Sequence, residues 1–195
     1  MNQLRLYLVL AAEDLAVLEP ALRGGVDIVQ LRDKELDDDA LVAAGREFRE
    51  VCARHGALFI LNDRPELVEA CDADGVHVGR ADATVAEARA LVGPDRIVGL
   101  SVSTAEELED VAGADYVGVT AFATPTKENA VPGGFDLLHT ASATLTVPWF
   151  AIGGIDLGNV ADVVAAGAPG VAVVRAIRDA DDPEATAQAF RRLVG

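Results

Sequence analysis

Several short clusters in this chain pair residue types and spacings that suit chemistry on phosphates. In "QLRDK", Gln30, Arg32 and Lys34 alternate with Leu31 and Asp33. Extended backbone turns successive side chains to opposite faces, so these three share one face. Two cations and an amide on one face suit a polyphosphate, with arginine offering planar donors and lysine a point charge. A surface ion-pair cluster with Asp33 and Glu35 explains the same spacing. Asp63 in "LNDR" and Asp82 in "VHVGRAD" are a second candidate group. Two carboxylates, with waters and phosphate oxygens, complete an octahedral Mg²⁺ site, and Asn62 can orient the ligand. Either Asp alone is also an ordinary helix N-cap or turn former.

Gly153 and Gly154 in "IGGI", with Val174 and Arg175 in "VVRAI", suit backbone capture of a phosphate, because only glycine lets a ligand approach the main chain closely. The same Gly-Gly pair also serves a plain turn. In "TPTK", Thr124 and Thr126 offer hydroxyl donors, and Lys127 can neutralise charge developing on a leaving group. Pro125, Pro132, Gly133 and Gly134 around them suit a lid or an ordinary surface loop. Ser101 ends an apolar run, but no general base stands out beside it, which argues against a serine nucleophile. His77 reads as a hydrogen-bonded interior residue, and His55 and His139 as helix-surface residues.

These residues need elements to hold them. Eight β-rich apolar runs punctuate the chain: "LRLYLVLA", "VDIVQLR", "ALFILND", "DGVHVG", "RIVGLSV", "DYVGVTA", "PWFAIGG" and "GVAVVRA". Helix-periodic stretches such as "EDLAVLEPALRGG", "DDDALVAAGREFREVCARHG" and "TVAEARALVG" lie between them, several closed by glycine. Nearly continuous apolar strands joined through helices imply a parallel sheet covered by those helices. Eight units favour an α/β single (β/α)₈ TIM barrel over residues 1–195. An open Rossmann or flavodoxin-like sheet needs fewer strands and a Gly-rich loop after the first, which "LVLAAED" does not offer. In a barrel the functional residues gather at the C-terminal ends of the strands, where all the clusters above fall.

The formal net charge of -16 opposes binding to nucleic acid or anionic membranes, so an anionic substrate requires a local basic pocket. Cys52 and Cys71 are isolated, without the spacing of a zinc site or disulfide framework, and read as buried reduced thiols in helix-like segments. The apolar run at the N-terminus meets Glu13 and Asp14 too soon for a signal peptide. These features predict a cytoplasmic protein with small-molecule substrates; the composition is compatible with a homo-oligomer.

Taken in order, "VDIVQLRDK", "LNDRPELVEACDADGVHVGRAD", "VGLSVST", "ADYVGV…TPTK", "PWFAIGGID" and "GVAVVRAI" resemble the thiamine-phosphate synthase (thiamine-phosphate pyrophosphorylase) family across nearly the whole chain. The resemblance implies a transferase of thiamine biosynthesis, in which Mg²⁺ assists the joining of hydroxymethylpyrimidine diphosphate to thiazole phosphate with release of diphosphate. It implies that Gln30, Arg32, Lys34 and Asn62 hold the pyrimidine diphosphate, with Lys127 on its diphosphate and Ser101 on the pyrimidine or diphosphate. Asp63 and Asp82 would ligate the metal, while Thr124, Thr126, Gly154, Val174 and Arg175 would hold the thiazole phosphate.

The chain departs from the family pattern at Arg175, where serine is frequent, and at Arg80, where glutamine is common. Leu10 and Ala11 replace a frequent Thr-Asp, and Thr120 to Ala123 replace the usual Gly-Pro loop start. A related thiazole tautomerase carries a histidine where this chain has Ser103 and lacks the metal carboxylates. That isomerase, and a barrel that binds phosphorylated ligands without turnover, are the alternative functions.

Overall fold

A computed structural model describes residues 1, 3–122 and 133–195. Eight parallel strands pair in sequence order and close on themselves: β1 (Leu6–Leu10), β2 (Ile28–Leu31), β3 (Leu58–Asn62), β4 (Gly75–Val78), β5 (Ile97–Val102), β6 (Tyr116–Thr120), β7 (Trp149–Ile152) and β8 (Val171–Val173). Helices α1 (Leu15–Arg23), α2 (Asp38–His55), α3 (Val85–Val92), α4 (Ala105–Leu108), α5 (Gly134–Thr144), α6 (Val160–Ala165), α7 (Arg175–Arg178) and α8 (Pro183–Val194) accompany them. This is the expected TIM barrel, with one local difference. After β3 the chain makes only a 3₁₀ turn, Pro65–Leu67, so Cys71 lies outside any helix. Its sulfur instead fills the space beside Gly45 of α2, where a methyl group would sit 2.6 Å from Sγ. Both cysteines are buried and free, and burial pushes the Cys52 thiol up to about 12.

Alternation along the strands builds two cores. Outward residues such as Leu8, Val29 and Leu61 pack under the helices, while Tyr7, Val9, Ile28, Ile60, Tyr116 and Phe150 fill the barrel. Local sequence fixes the helix ends. Thr84 and Glu87 form a reciprocal capping box at α3, Asp37 caps α2 through Ala40 N–H at 2.9 Å, and Gly56 ends α2 in the left-handed region at φ 67°.

The strand N-termini carry a repeated device. Asp27, Asp74 and Asp115 each precede an even-numbered strand and turn the carboxylate onto a backbone N–H at the start of the preceding strand. Each is held by an arginine from a covering helix: Arg191, Arg49 and Arg89 respectively. Asp27 accepts from Arg5 N–H at 2.7 Å, Leu6 N–H at 3.0 Å and Arg191 at 2.7 Å. Asp27→Ala is expected to cost about 2 kcal/mol of stability, since the Leu6 N–H and the Arg191 charge lose their acceptor in a partly buried place. A urea midpoint unchanged by this substitution would mean that water replaces the carboxylate.

Candidate active site

A cavity of about 530 Å³ opens among the C-terminal ends of the strands. Gln30, Arg32, Asn62, Ser101, Gly153, Gly154, Val174 and Arg175 all line it. Its size suits a small organic ligand. Three arginines reach it, Arg32, Arg175 and Arg178, so a chain of net charge -16 holds a local basic pocket. Arg178 was not singled out by sequence reasoning, although it lies one helical turn beyond Arg175. Its guanidinium is held by Asp179 through Nε to Oδ1 at 2.6 Å and Nη2 to Oδ2 at 3.1 Å.

Gln30 and Arg32 share the cavity face expected from their alternation, and the ion-pair cluster with Asp33 does not form. Asp33 accepts the backbone N–H groups of Ala12, Glu35 and Leu36. Lys34 instead reaches Asp63, with Nζ 3.7 Å from Oδ2. Asn62 links cavity and carboxylate, its Nδ2 donating to the same Asp63 oxygen at 2.6 Å.

Asp63 and Asp82 approach closely enough for their side chains to hydrogen-bond. Neither is a helix N-cap: Arg64 and Thr84 occupy those positions. Asp63 sits at φ 58°, in the left-handed region that a non-glycine residue enters at a cost. Burial first, and then the Asp82 charge, push its carboxyl above the ordinary range, while Lys34 and Asn62 pull it back. Asp82 is admitted by Gly79, where a methyl group would stand 2.7 Å from Oδ2. Two crowded oxygen-donor carboxylates with one distant lysine fit a hard divalent cation that takes its remaining ligands from water and phosphate. Among the described residues no third His, Cys, Asp or Glu joins them.

Gly153 and Gly154 both lie in the left-handed region, at φ 103° and 59°. A methyl group on Gly153 would stand 2.5 Å from the Phe122 carbonyl oxygen, so glycine is required for packing as well as for the turn. Thr124, Thr126 and Lys127 lie outside the described residues. The chain on either side of them is closed by Gly134 N–H donating to Ala121 at 2.8 Å and by an edge-on contact of Phe122 with Phe135.

The sequence placed no base beside Ser101, and here it is corrected. His77 Nε2 lies 2.9 Å from Ser101 Oγ. The other ring nitrogen, Nδ1, lies 2.9 Å from Tyr116 Oη, so among the described residues a tyrosine takes the position that a carboxylate holds in a hydrolase triad. Tyr116 Oη is 2.8 Å from Tyr7 Oη, which Gln30 Nε2 approaches at 2.7 Å. Both tyrosines are inward residues of their strands, a position that strand periodicity could have flagged.

The fold and this site define a (β/α)₈ barrel with an arginine-lined cavity and a paired-carboxylate group at its C-terminal mouth. A family model described as thiamine monophosphate synthase matches residues 6–177, and the chain belongs to that family. It is 49% identical, over 97% of its length, to thiamine-phosphate synthase of Thermosynechococcus vestitus, and 46% identical, over 92%, to that of Streptomyces avermitilis. It spans 56% of the first relative and 86% of the second. The chain spans little more than half the length of several other curated relatives, such as that of Synechocystis at 58%. Among solved structures, thiamine phosphate pyrophosphorylase from Pyrococcus furiosus superposes with a TM-score of 0.91 at 31% identity, covering 99% of this chain and 96% of that one.

Proposed function

We propose that this chain forms one (β/α)₈ barrel over residues 1–195 and acts as a thiamine-phosphate synthase, a transferase that joins hydroxymethylpyrimidine diphosphate to thiazole phosphate and releases diphosphate. The observation that carries the proposal is the Asp63–Asp82 pair beside an arginine-lined cavity, in a member of the synthase family. An isomerase that moves a proton has no need of two crowded carboxylates fitted to a divalent cation.

The aminopyrimidine can carry positive charge on its methylene as diphosphate departs, so the protein's task is to neutralise the leaving group and to position the thiazole nitrogen. Mg²⁺, held by Asp63 and Asp82, would supply Lewis-acid neutralisation of phosphate oxygens. Arg32 and Lys34 flank that charge, and Lys127, assigned on sequence, adds to it. Gln30, Asn62 and Ser101 orient the pyrimidine side. The Gly153–Gly154 turn, Val174 and Arg175, with Thr124 and Thr126, anchor the thiazole phosphate. No strong base is required, which fits a Ser101–His77 pair backed by tyrosine rather than carboxylate. Two buried free thiols suit the cytoplasm. Among the described residues no helix is long and apolar enough to cross a membrane.

The test is diphosphate release from the two substrates with Mg²⁺ or with EDTA. Release should require both substrates and the metal, and Lys127→Ala should lose most of it while remaining folded. A folded protein that releases none would belong with the tautomerase or with a binding-only barrel.

A further inference from the structure

We infer that Gln30, Tyr7, Tyr116, His77 and Ser101 form a one-way chain of hydrogen bonds that holds His77 as its Nε2–H tautomer and sets which end of the cavity accepts and which donates. The direction follows from proton counting. Gln30 Nε2 can only donate, and it meets Tyr7 Oη at 2.7 Å. The single Tyr7 proton is then directed to Tyr116 Oη at 2.8 Å, and the single Tyr116 proton to His77 Nδ1 at 2.9 Å. Nδ1 must therefore present a lone pair. The ring proton lies on Nε2 and is donated to Ser101 Oγ at 2.9 Å.

Two further features keep the chain intact. Tyr116 is fully enclosed and Tyr7 is only 2% exposed where it lines the cavity, so the middle of the chain is largely closed to water, and burial pushes both phenols up so that each keeps its proton. The two ends, Gln30 and Ser101, line the same cavity. With the chain running this way, the Gln30 amide oxygen is left to accept from a ligand and the Ser101 hydroxyl to donate to one. Running the other way, both ends change character together. Tyr116, which does not line the cavity, is thus a positioning residue, and it acts with Tyr7 and His77, which line the cavity between the two ends, to fix that an N–H or O–H group is received at Gln30 and an oxygen or ring nitrogen at Ser101. The chain stands on geometry alone; that an aminopyrimidine supplies the N–H rests on the synthase proposal.

The test is the tautomer of His77 in ligand-free protein labelled with ¹⁵N-histidine, read by correlating ring carbon-bound protons with the two ring nitrogens. The chain has 3 histidines, and His55→Gln and His139→Gln assign the other two signals. Wild type should show Nε2 protonated and Nδ1 unprotonated. Gln30→Glu places a carboxylate, which only accepts, at the head of the chain. That reverses every proton, and Nδ1 should become protonated two tyrosines away. Gln30→Glu combined with Tyr7→Phe keeps the added charge but cuts the chain, so Nδ1 should return to the unprotonated form.

An Nδ1–H tautomer in wild type overturns the proposal, and this reading alone suffices should the glutamate variant fail to fold. An unchanged tautomer in folded Gln30→Glu, read at a pH where the introduced carboxyl is shown to be ionised by its ¹³C shift, overturns it as well, since a protonated carboxyl would donate as the amide does. So does a double variant that keeps Nδ1 protonated, because the charge rather than the chain would then be acting. Turnover is not needed for any of these readings, so failure of the diphosphate assay and failure of the chain are separate results.

Discussion

Asp63→Asn is expected to remove metal-dependent turnover and, at the same time, to raise the melting temperature of the metal-free protein. The first effect follows from taking one of two carboxylates from a hard-cation site, with an expected loss of at least about 100-fold. The second follows from the direction of the Asp63 shift. Burial and the Asp82 charge raise its folded-state value above the ordinary 3.8. Between these two values the native state binds more protons than the unfolded state, so stability falls as pH rises through that window. Above it, at neutral pH, the metal-free protein bears the whole cost of a crowded, partly buried charge. Asparagine removes that charge, tolerates the left-handed backbone at φ 58°, and leaves a carbonyl oxygen for Asn62 Nδ2. The lost attraction of Lys34 is small, because the pair is 3.7 Å apart and the lysine side chain is 55% exposed. The expected gain is about 0.5–2 kcal/mol at neutral pH, vanishing in acid below the ordinary aspartate range. Added Mg²⁺ should then stabilise wild type and not the variant. A variant that melts below metal-free wild type at neutral pH would show that Asp63 is held by its partners more strongly than it is repelled.

The parts of this site that lie along a strand or on neighbouring strand ends were legible in the sequence. Gln30 and Arg32 share a face because strand periodicity is two, and Asp63 and Asp82 meet because β3 and β4 are adjacent. The eight apolar runs announced eight strands, since a strand covered on both faces shows little polar alternation. What sequence could not supply were meetings across the barrel. Tyr7 and Tyr116 are 109 residues apart, and their contact depends on how the closed sheet is staggered, which no local pattern encodes. The histidine beside Ser101 was hidden differently: β4 and β5 are adjacent, but His77 stands opposite Gly99, and no local pattern gives the register that brings it to Ser101 two residues further along. The turn after β3 was obscured differently: "RPELVEAC" has helical composition, but Arg64, Pro65 and the packing of Cys71 on Gly45 hold it to a single 3₁₀ turn. Lys34 was a candidate from the sequence, but its contact with Asp63 escaped, because it lies beyond the end of β2, where strand periodicity no longer directs its side chain.

Gly99→Ala is expected to be among the most damaging single methyl groups in the barrel. Gly99 pairs with Tyr116 across β5 and β6, and an added Cβ would stand 2.2 Å from Cζ, 2.4 Å from Cε1 and 2.5 Å from Oη of that ring. The ring has no retreat: Tyr7 and Phe150 both pack at 5.9 Å between centroids, and His77 at 5.4 Å. Overpacking of this kind costs about 1–3 kcal/mol or more. Displacing the Tyr116 hydroxyl also breaks its hydrogen bonds to Tyr7 and His77, at about 1 kcal/mol each. The sum is about 3–5 kcal/mol, a large share of the 5–15 kcal/mol or so that holds a typical domain. Gly118 supplies the control. It too faces the barrel interior, but its nearest neighbour to an added Cβ is His77 Cε1 at 3.4 Å, an ordinary contact. Gly118→Ala should cost less than about 1 kcal/mol by urea denaturation, and Tyr116→Leu should recover part of the loss when combined with Gly99→Ala. Equal losses for the two glycines would mean that the barrel interior yields to accommodate the methyl group, and that the aromatic packing around Tyr116 does not fix the positions of the residues lining the cavity above it.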